Sequence, residues 1–249
     1  MNLLNDLGSY GTTPKPVLEA INELTLEIES KPDLFHRLSY QKRLVGVREK
    51  LACFIGAKTD EVVLVPNASM GINTVLRNFE WERDDQIFVC TFFFPYIPCR
   101  CWSDHDVQLV STTYNSISRT AHNLSDVPPF PSISTIVLNF PTTHLKIIQD
   151  FKSHLCNHPA SPNKKRVVVI DSIVSNPGMF LPWKEMVEIC KDEGVWSVVD
   201  AAHSIGQEVD LDLGKIAPDF WVSVSLFRLK RFYVVDNDLI IIIIIIELS

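Results

Sequence analysis

The sequence predicts an α/β fold built on a doubly wound, mostly parallel sheet with helices on both faces. Three observations carry this expectation. Short apolar runs such as Val62-Val63-Leu64-Val65, Val167-Val168-Val169-Ile170 and Val195-Trp196-Ser197-Val198-Val199 have the length and β-branched content of strands buried on both faces. Between such runs lie longer stretches with apolar residues at helical spacing, so strand and helix alternate as right-handed crossovers require. The run ending at Val199 stops abruptly at Asp200, followed by Ala201, Ala202 and His203, which puts a carboxylate at the carboxyl edge of a strand, where open α/β sheets bind ligands. With 249 residues, 46% of them hydrophobic, the chain can bury a substantial core, and one large domain is the simplest arrangement.

In chain order, Leu3 to Pro16 carries the glycine-containing stretch Leu7-Gly8-Ser9-Tyr10-Gly11 and reads as a loop. Pro16 to Glu29 reads as a helix, with Val17, Leu18, Ile21, Leu24, Leu26 and Ile28 set among acids. A second helix within Arg37 to Ile55 shows Leu44, Val47, Leu51 and Phe54 at helical spacing and ends at Gly56. After the strand Val62 to Val65, Pro66-Asn67-Ala68-Ser69-Met70-Gly71 turns directly into a helix. Small residues there expose the first backbone N–H groups to an anion such as phosphate, although Asn and Ser are also ordinary helix caps. Further strands are expected at Gln86 to Cys90, Thr135 to Phe140, Val167 to Asp171, Trp196 to Asp200 and Phe220 to Val224. Helical stretches follow, with Leu145, Ile147, Ile148, Phe151 and Leu155 in one and Trp183 to Glu193 as another. The basic run Lys164-Lys165-Arg166 reads as a solvated loop.

A buried carboxylate at Asp200 needs a cationic partner, and a protonated ring nitrogen of a cofactor would supply one, with His203 placed to meet the same ring. The residues alone fit equally a plain strand end whose Asp caps the following helix. Net charge of -7 and no larger basic cluster argue against a nucleic-acid partner. Six cysteines without CxxC pairing point to neither a zinc site nor a disulfide framework, and a reducing compartment fits best. Met1 to Thr13 has no basic region or long apolar stretch of a signal peptide, so the Asn67 and Asn123 glycosylation patterns are not expected to matter. The expected location is cytoplasmic, with no membrane partner.

The segment Asp200-Ala201-Ala202-His203-x-x-Gly206, together with Asn67-Ala68-Ser69-x-Gly71-Ile72-Asn73, resembles the class V aminotransferase group of pyridoxal phosphate (PLP) enzymes. The nearest branch contains isopenicillin N epimerase-like proteins and cysteine C–S lyases. The resemblance covers most of Leu3 to Ser223 and implies the large domain of the type I PLP-transferase fold, with PLP as cofactor, a small amino-acid substrate and a homodimer. It implies that Asp200 holds the pyridine nitrogen protonated, His203 contacts the ring and its phenolic oxygen, and Ala68 and Ser69 take the phosphate. Tyr114, within Thr112-Thr113-Tyr114, matches the aromatic that stacks on the ring, and Ser175 is a polar contact on the Ile170-Asp171-x-Ile173-x-Ser175 edge, with Asn176 a lesser one. In the family the Leu7-Gly8-Ser9-Tyr10-Gly11 loop lies over the active site.

Two stretches depart from the pattern. Residues 91–108 interrupt two motifs that adjoin in the family and read as an insertion. After Ser223 the family places its Schiff-base lysine, whereas here Phe227 stands in that register and Lys230 lies three residues beyond it. Residues 224–249, with isoleucine at every position from 240 to 246, read as an aberrant low-complexity tail or a β-aggregating edge. Translated non-coding sequence would explain both stretches: the codon of Val224 begins with the GT of a splice donor and an isoleucine run is what a trinucleotide repeat encodes, while Cys90 can supply a GT and Gln108 a CAG at the two ends of the insertion. Eight apolar residues from Leu239 are too few for a bilayer, which takes about 20.

The domain is therefore expected at 1–223, incomplete at its carboxyl end. The expected function is that of a PLP-dependent enzyme on an amino acid, by transamination, C–S lysis or epimerisation, inactive in this form. The rival reading is a non-catalytic piece that binds PLP or a partner subunit. A Rossmann-type nucleotide binder is disfavoured because no GxGxxG follows any strand.

Overall fold

A computed structural model describes residues 15–93, 110–111, 113–159, 161–175, 178–224 and 242–246. In order, the elements begin with α1 (Lys15–Ser30), α2 (Pro32–Leu34), a π-helical turn (Phe35–Ser39), α3 (Tyr40–Ile55) and a 3-10 turn (Thr59–Glu61). They continue through β1 (Val62–Val65), α4 (Ala68–Asn78), β2 (Gln86–Phe93), β3 (Val110–Ser111), α5 (Asn115–Asp126), β4 (Ser132–Asn139), α6 (His144–Asn157) and β5 (Arg166–Asp171). The remainder are β6 (Ile173–Val174), β7 (Met179–Phe180), α7 (Trp183–Glu193), β8 (Trp196–Ala201), α8 (Leu213–Ile216), β9 (Phe220–Val224) and β10 (Ile242–Ile246).

All six expected strands form, with ends moved by up to three residues. β2 runs on through Phe93, three residues into the stretch read as an insertion, and residues 94–109 lie outside the described ones. The helix α5 was not anticipated. Its buried residues Ile117, Thr120, Ala121 and Leu124 keep helical spacing, but with only two large apolar side chains among them the stripe is faint in the sequence.

The chain forms two compact units, residues 1–71 with 201–249 and residues 72–200. In the second unit β4, β2, β5 and β8 lie side by side and parallel, with Cys90 opposite Ile136, Val89 opposite Val169 and Asp171 opposite Asp200. All six residues of β5 are buried, which explains the unbroken apolar run Val167 to Ile170. Phe151 and Leu155 of α6 and Trp183, Met186 and Val187 of α7 are buried with it.

Asp85 gathers the amino ends of this sheet. Fully buried, it accepts the N–H of Glu82 at 2.7 Å and of Lys165 at 2.8 Å, while its carbonyl accepts the N–H of Ser132 at 2.8 Å. The basic run is accordingly no solvated loop. The Lys164 ammonium meets Glu82 at 2.8 Å, and that of Lys165 donates to the Glu80 carbonyl at 2.7 Å. Arg166, 5% exposed, donates to the carbonyls of Leu155 at 3.1 Å, His158 at 3.2 Å and Glu193. Those carbonyls belong to the carboxyl ends of α6 and α7, where helices leave acceptors unpaired and the macrodipole favours a cation.

The imidazoles of His154 and His158 stack with centroids 4.3 Å apart, and both meet the edge of Phe88. Burial, reinforced by His158, holds His154 below its ordinary value of 6.5, and its Nε2 lies 2.8 Å from the Ser134 hydroxyl. A histidine with a depressed folded value binds its proton more readily in the unfolded chain, so it favours folding above 6.5 and loses that contribution as pH falls below it. Unfolding free energies measured by urea titration are expected to drop between pH 6.5 and 5, and His154→Gln is expected to flatten that slope.

In the first unit Leu51 and Ile55 of α3 and Val62 of β1 are fully buried. Gly56 ends α3 at φ 71°, and a Cβ there would stand 2.7 Å from Asp212 Oδ1, so both backbone conformation and space require glycine. Its carbonyl accepts the N–H of Gly214 at 2.8 Å. The isoleucine run, expected as a tail, supplies β10, which lies antiparallel between β1 and β9. Residues 225–241, including Phe227 and Lys230, fall outside the described ones, as do residues 1–14 with the Leu7 to Gly11 loop.

Candidate active site

The second unit presents the carboxyl ends of four parallel strands as one edge, and acidic side chains close two of them. Val198 and Val199 lead β8 to Asp200, and Val169 and Ile170 lead β5 to Asp171. The two acids are register partners, 5% and 4% exposed. Side chains of register partners stand on the same face of a sheet, so the edge carries paired carboxylates sheltered from water, an arrangement that favours a bound cation. The Ser172 N–H donates to the Asp200 carbonyl at 2.9 Å and fixes the rung. Asp171 was not singled out as a site residue, yet a signal was there: two apolar strands that both end in aspartate.

Tyr114 stands at the start of α5, where its carbonyl accepts the N–H groups of Ile117 and Ser118. Beside it the Thr113 N–H donates to the Cys90 carbonyl at 3.3 Å, which ties this residue pair to the carboxyl half of β2. Tyr114 as a residue is 56% exposed, and its side chain is an aromatic of the kind suited to stacking. Ser175 is exposed in the turn joining β6 to β7, and Asn176 lies outside the described residues. Cys90 contributes no nucleophile: burial, with Asp171 and Cys190 adding to it, pushes its thiol far above the ordinary range.

In the first unit Ala68 and Ser69 open α4. Asn67 caps the helix, its Oδ1 accepting the Met70 N–H at 2.7 Å, and the first i to i−4 bond runs from Gly71 to the Asn67 carbonyl at 3.0 Å. The cap reading of Asn67 is therefore realised, and Ala68 and Ser69 stand ahead of the first intrahelical donor. His203 is half-buried in the turn after β8, which is closed by the Ser204 N–H on the Ala201 carbonyl at 2.9 Å. The Ser223 hydroxyl donates to the same carbonyl at 2.6 Å.

Each unit by itself carries groups of the kind PLP needs: the second a sheltered carboxylate at a strand's carboxyl end, suited to a protonated ring nitrogen, and an exposed aromatic residue, the first a helix start lined by small residues, suited to a phosphate. Among the described residues no three His, Cys, Asp or Glu side chains gather as metal ligands, and no helix is long and apolar enough to cross a membrane.

The family model described as aminotransferase class I and II matches residues 3–226. The chain belongs to this family. Aminotransferases of this family are PLP-dependent. Over 215 residues, 86% of the chain and 42% of the relative, it is 31% identical to the L-cysteine desulfhydrase-like protein lolT1 of Epichloe uncinata. Over 228 residues, 87% of the chain and 45% of the relative, it is 32% identical to the L-cysteine desulfhydrase of Arabidopsis thaliana. The chain thus spans less than half the length of these curated relatives. A solved complex between the cystine C–S lyase C-DES and its reaction product cysteine persulfide superposes with a TM-score of 0.69 at 17% identity, covering 96% of this chain and 56% of that one. That likeness shows a shared fold, and the curated relatives fall in the branch that the motifs around Asp200 and Ala68 resemble.

Proposed function

We propose that this chain is the cofactor-holding portion of a PLP-dependent cysteine C–S lyase, acting on cysteine or a cysteine-derived amino acid. The observation that carries the reading is the sheltered Asp200 at the end of β8 in a chain 32% identical to an L-cysteine desulfhydrase. Bound PLP supplies an electron sink for bonds broken at the substrate's α- and β-carbons. The chain's own groups bind and orient it. The Asp200 carboxylate accepts the ring N–H and keeps the proton on that nitrogen, and Asp171 beside it deepens the preference for positive charge. The backbone N–H groups of Ala68 and Ser69 donate to the phosphate, aided by the α4 dipole. Tyr114 covers one face of the ring, His203 meets the ring and its phenolic oxygen, and Ser175 adds a polar contact. A reducing cytoplasmic setting and a homodimer belong to the same proposal.

Turnover is not expected from the chain as it stands, because Phe227 occupies the register of the family's lysine. Phenylalanine offers no amine to attach the cofactor and no base for the substrate's α-proton. The test is borohydride reduction after loading with PLP, followed by peptide mapping. The proposal predicts saturable PLP binding with no lysine carrying reduced cofactor, and attachment at residue 227 in the Phe227→Lys variant. Attachment at Lys230 in the unaltered chain would overturn the assignment of an inactive form, and failure to bind PLP at all would overturn the cofactor site.

A further inference from the structure

In the second unit the strand farthest from β8 borders a cavity that the proposed chemistry does not use. β4 pairs with β2 on one side and, among the described residues, with no strand on the other. Along it Thr135, Val137 and Asn139 are exposed and alternate with the buried Ile136 and Leu138. On α6 the residues Ile147, Phe151 and Leu155 are buried, while Lys146, Asp150, Ser153 and Asn157, spaced by four, three and four, share another face of the helix. Between that stripe and β4 lies a cavity of about 570 Å³, a size ordinary for small-molecule sites. It is separate from Asp200, because β4 stands three strands from β8, about 14 Å at the usual strand spacing.

The cavity offers one charge of each sign. The Lys146 ammonium meets the Asp150 carboxylate at 2.5 Å, and a largely exposed pair one turn apart contributes little to stability, so it yields readily to a ligand that satisfies both members. Lys146 stands in the first turn of α6, which contains no acid, and the positive end of the helix adds to its pull on an anion. Around the pair the side chains of Thr135, Asn139, Ser153 and Asn157 bond to no other described residue and supply both donors and acceptors. A neutral sugar leaves both charges unmet, a lone anion meets Asp150 beside Lys146, and a lone cation meets Lys146 beside Asp150. A carboxylate and an ammonium on neighbouring carbons answer both at once.

We propose that this cavity is a binding site for a small polar α-amino acid in its zwitterionic form. The ligand's carboxylate takes the Lys146 ammonium and its ammonium takes the Asp150 carboxylate, each bond strengthened by charge on both partners. The hydroxyls and carboxamides around the pair favour a short polar side chain over a large apolar one. The site needs no cofactor and is distinct from the one proposed for PLP.

The test follows the amide spectrum of the nitrogen-15-labelled full chain at neutral pH, with no PLP added. The chain is titrated with L-serine, with 3-hydroxypropionate, which lacks the ammonium, and with ethanolamine, which lacks the carboxylate. Serine is expected to shift the amides of Val137, Ser153 and Asn157 saturably, half-complete at about 1 mM or below. Each analogue is expected to bind at least about tenfold more weakly. Lys146→Met and Asp150→Asn alter the helix surface and not its buried face, so each is expected to weaken serine binding by about tenfold or more while amides elsewhere keep their positions. Asp200→Asn is expected to bind serine as the unaltered chain does. No saturation below about 10 mM, equal shifts from all three compounds, undiminished binding in Lys146→Met and Asp150→Asn, or loss of binding in Asp200→Asn would each overturn the site.

Discussion

Replacing Asp200 with asparagine is expected to weaken PLP binding by roughly two to three orders of magnitude, about 3–4 kcal/mol, while the far-ultraviolet circular dichroism stays unchanged. The side chain is 5% exposed at the end of a strand whose preceding residues are buried, so little water reaches it to stand in for a lost ionic partner. Asparagine preserves size and shape but carries no charge to hold a proton on the ring nitrogen. Asp171 remains on the same rung in the variant, yet it is fixed one strand away and cannot take over the same geometry. A fluorescence titration with PLP measures the effect, and an unchanged dissociation constant would remove Asp200 from the site.

Arg166→Met is expected to destabilise the second unit by about 3 kcal/mol, read as a lower urea midpoint of tryptophan fluorescence. Methionine can fill the volume of the arginine stem, but it takes the guanidinium donor from the carbonyls of His158 and Glu193 and leaves the Leu155 carbonyl with the His158 N–H, at the carboxyl ends of two helices. Arg166→Lys should recover part of the loss, since an ammonium restores the charge but not the planar fork that reaches several carbonyls at once. A loss below about 1 kcal/mol for the methionine variant would mean that water satisfies those carbonyls equally well.

What could be read from the sequence follows the range of the forces involved. The strands ending at Asp171 and Asp200 were legible because burial on both faces writes itself as a local run of Val and Ile. The helix after Ser69 was legible from the small residues and Asn67 that start it. Arg166 was not, because its acceptors lie 8, 11 and 27 residues away and nothing local separates a cation that caps two helices from one that faces water. The pairing of Asp171 with Asp200 is likewise a matter of strand order, which the sequence does not print. The isoleucine run, read as a β-aggregating edge or a low-complexity tail, carries no pattern that would fix a partner, and its pairing with β1 and β9 is a matter of strand order. For Tyr114 and Ser175 the resemblance supplied the roles, and the fold supplies an exposed ring for the first and an exposed turn for the second.

The claim beneath the proposed function is that Asp200 holds a proton on the cofactor's ring nitrogen. It is tested most directly by the nitrogen-15 chemical shift of ring-labelled PLP added to the full chain and followed from pH 6 to 9. The account predicts a bound signal at the position of a protonated pyridine that does not move across this range, and that moves to the unprotonated position in Asp200→Asn. A bound signal that titrates as it does for free PLP in water would contradict it.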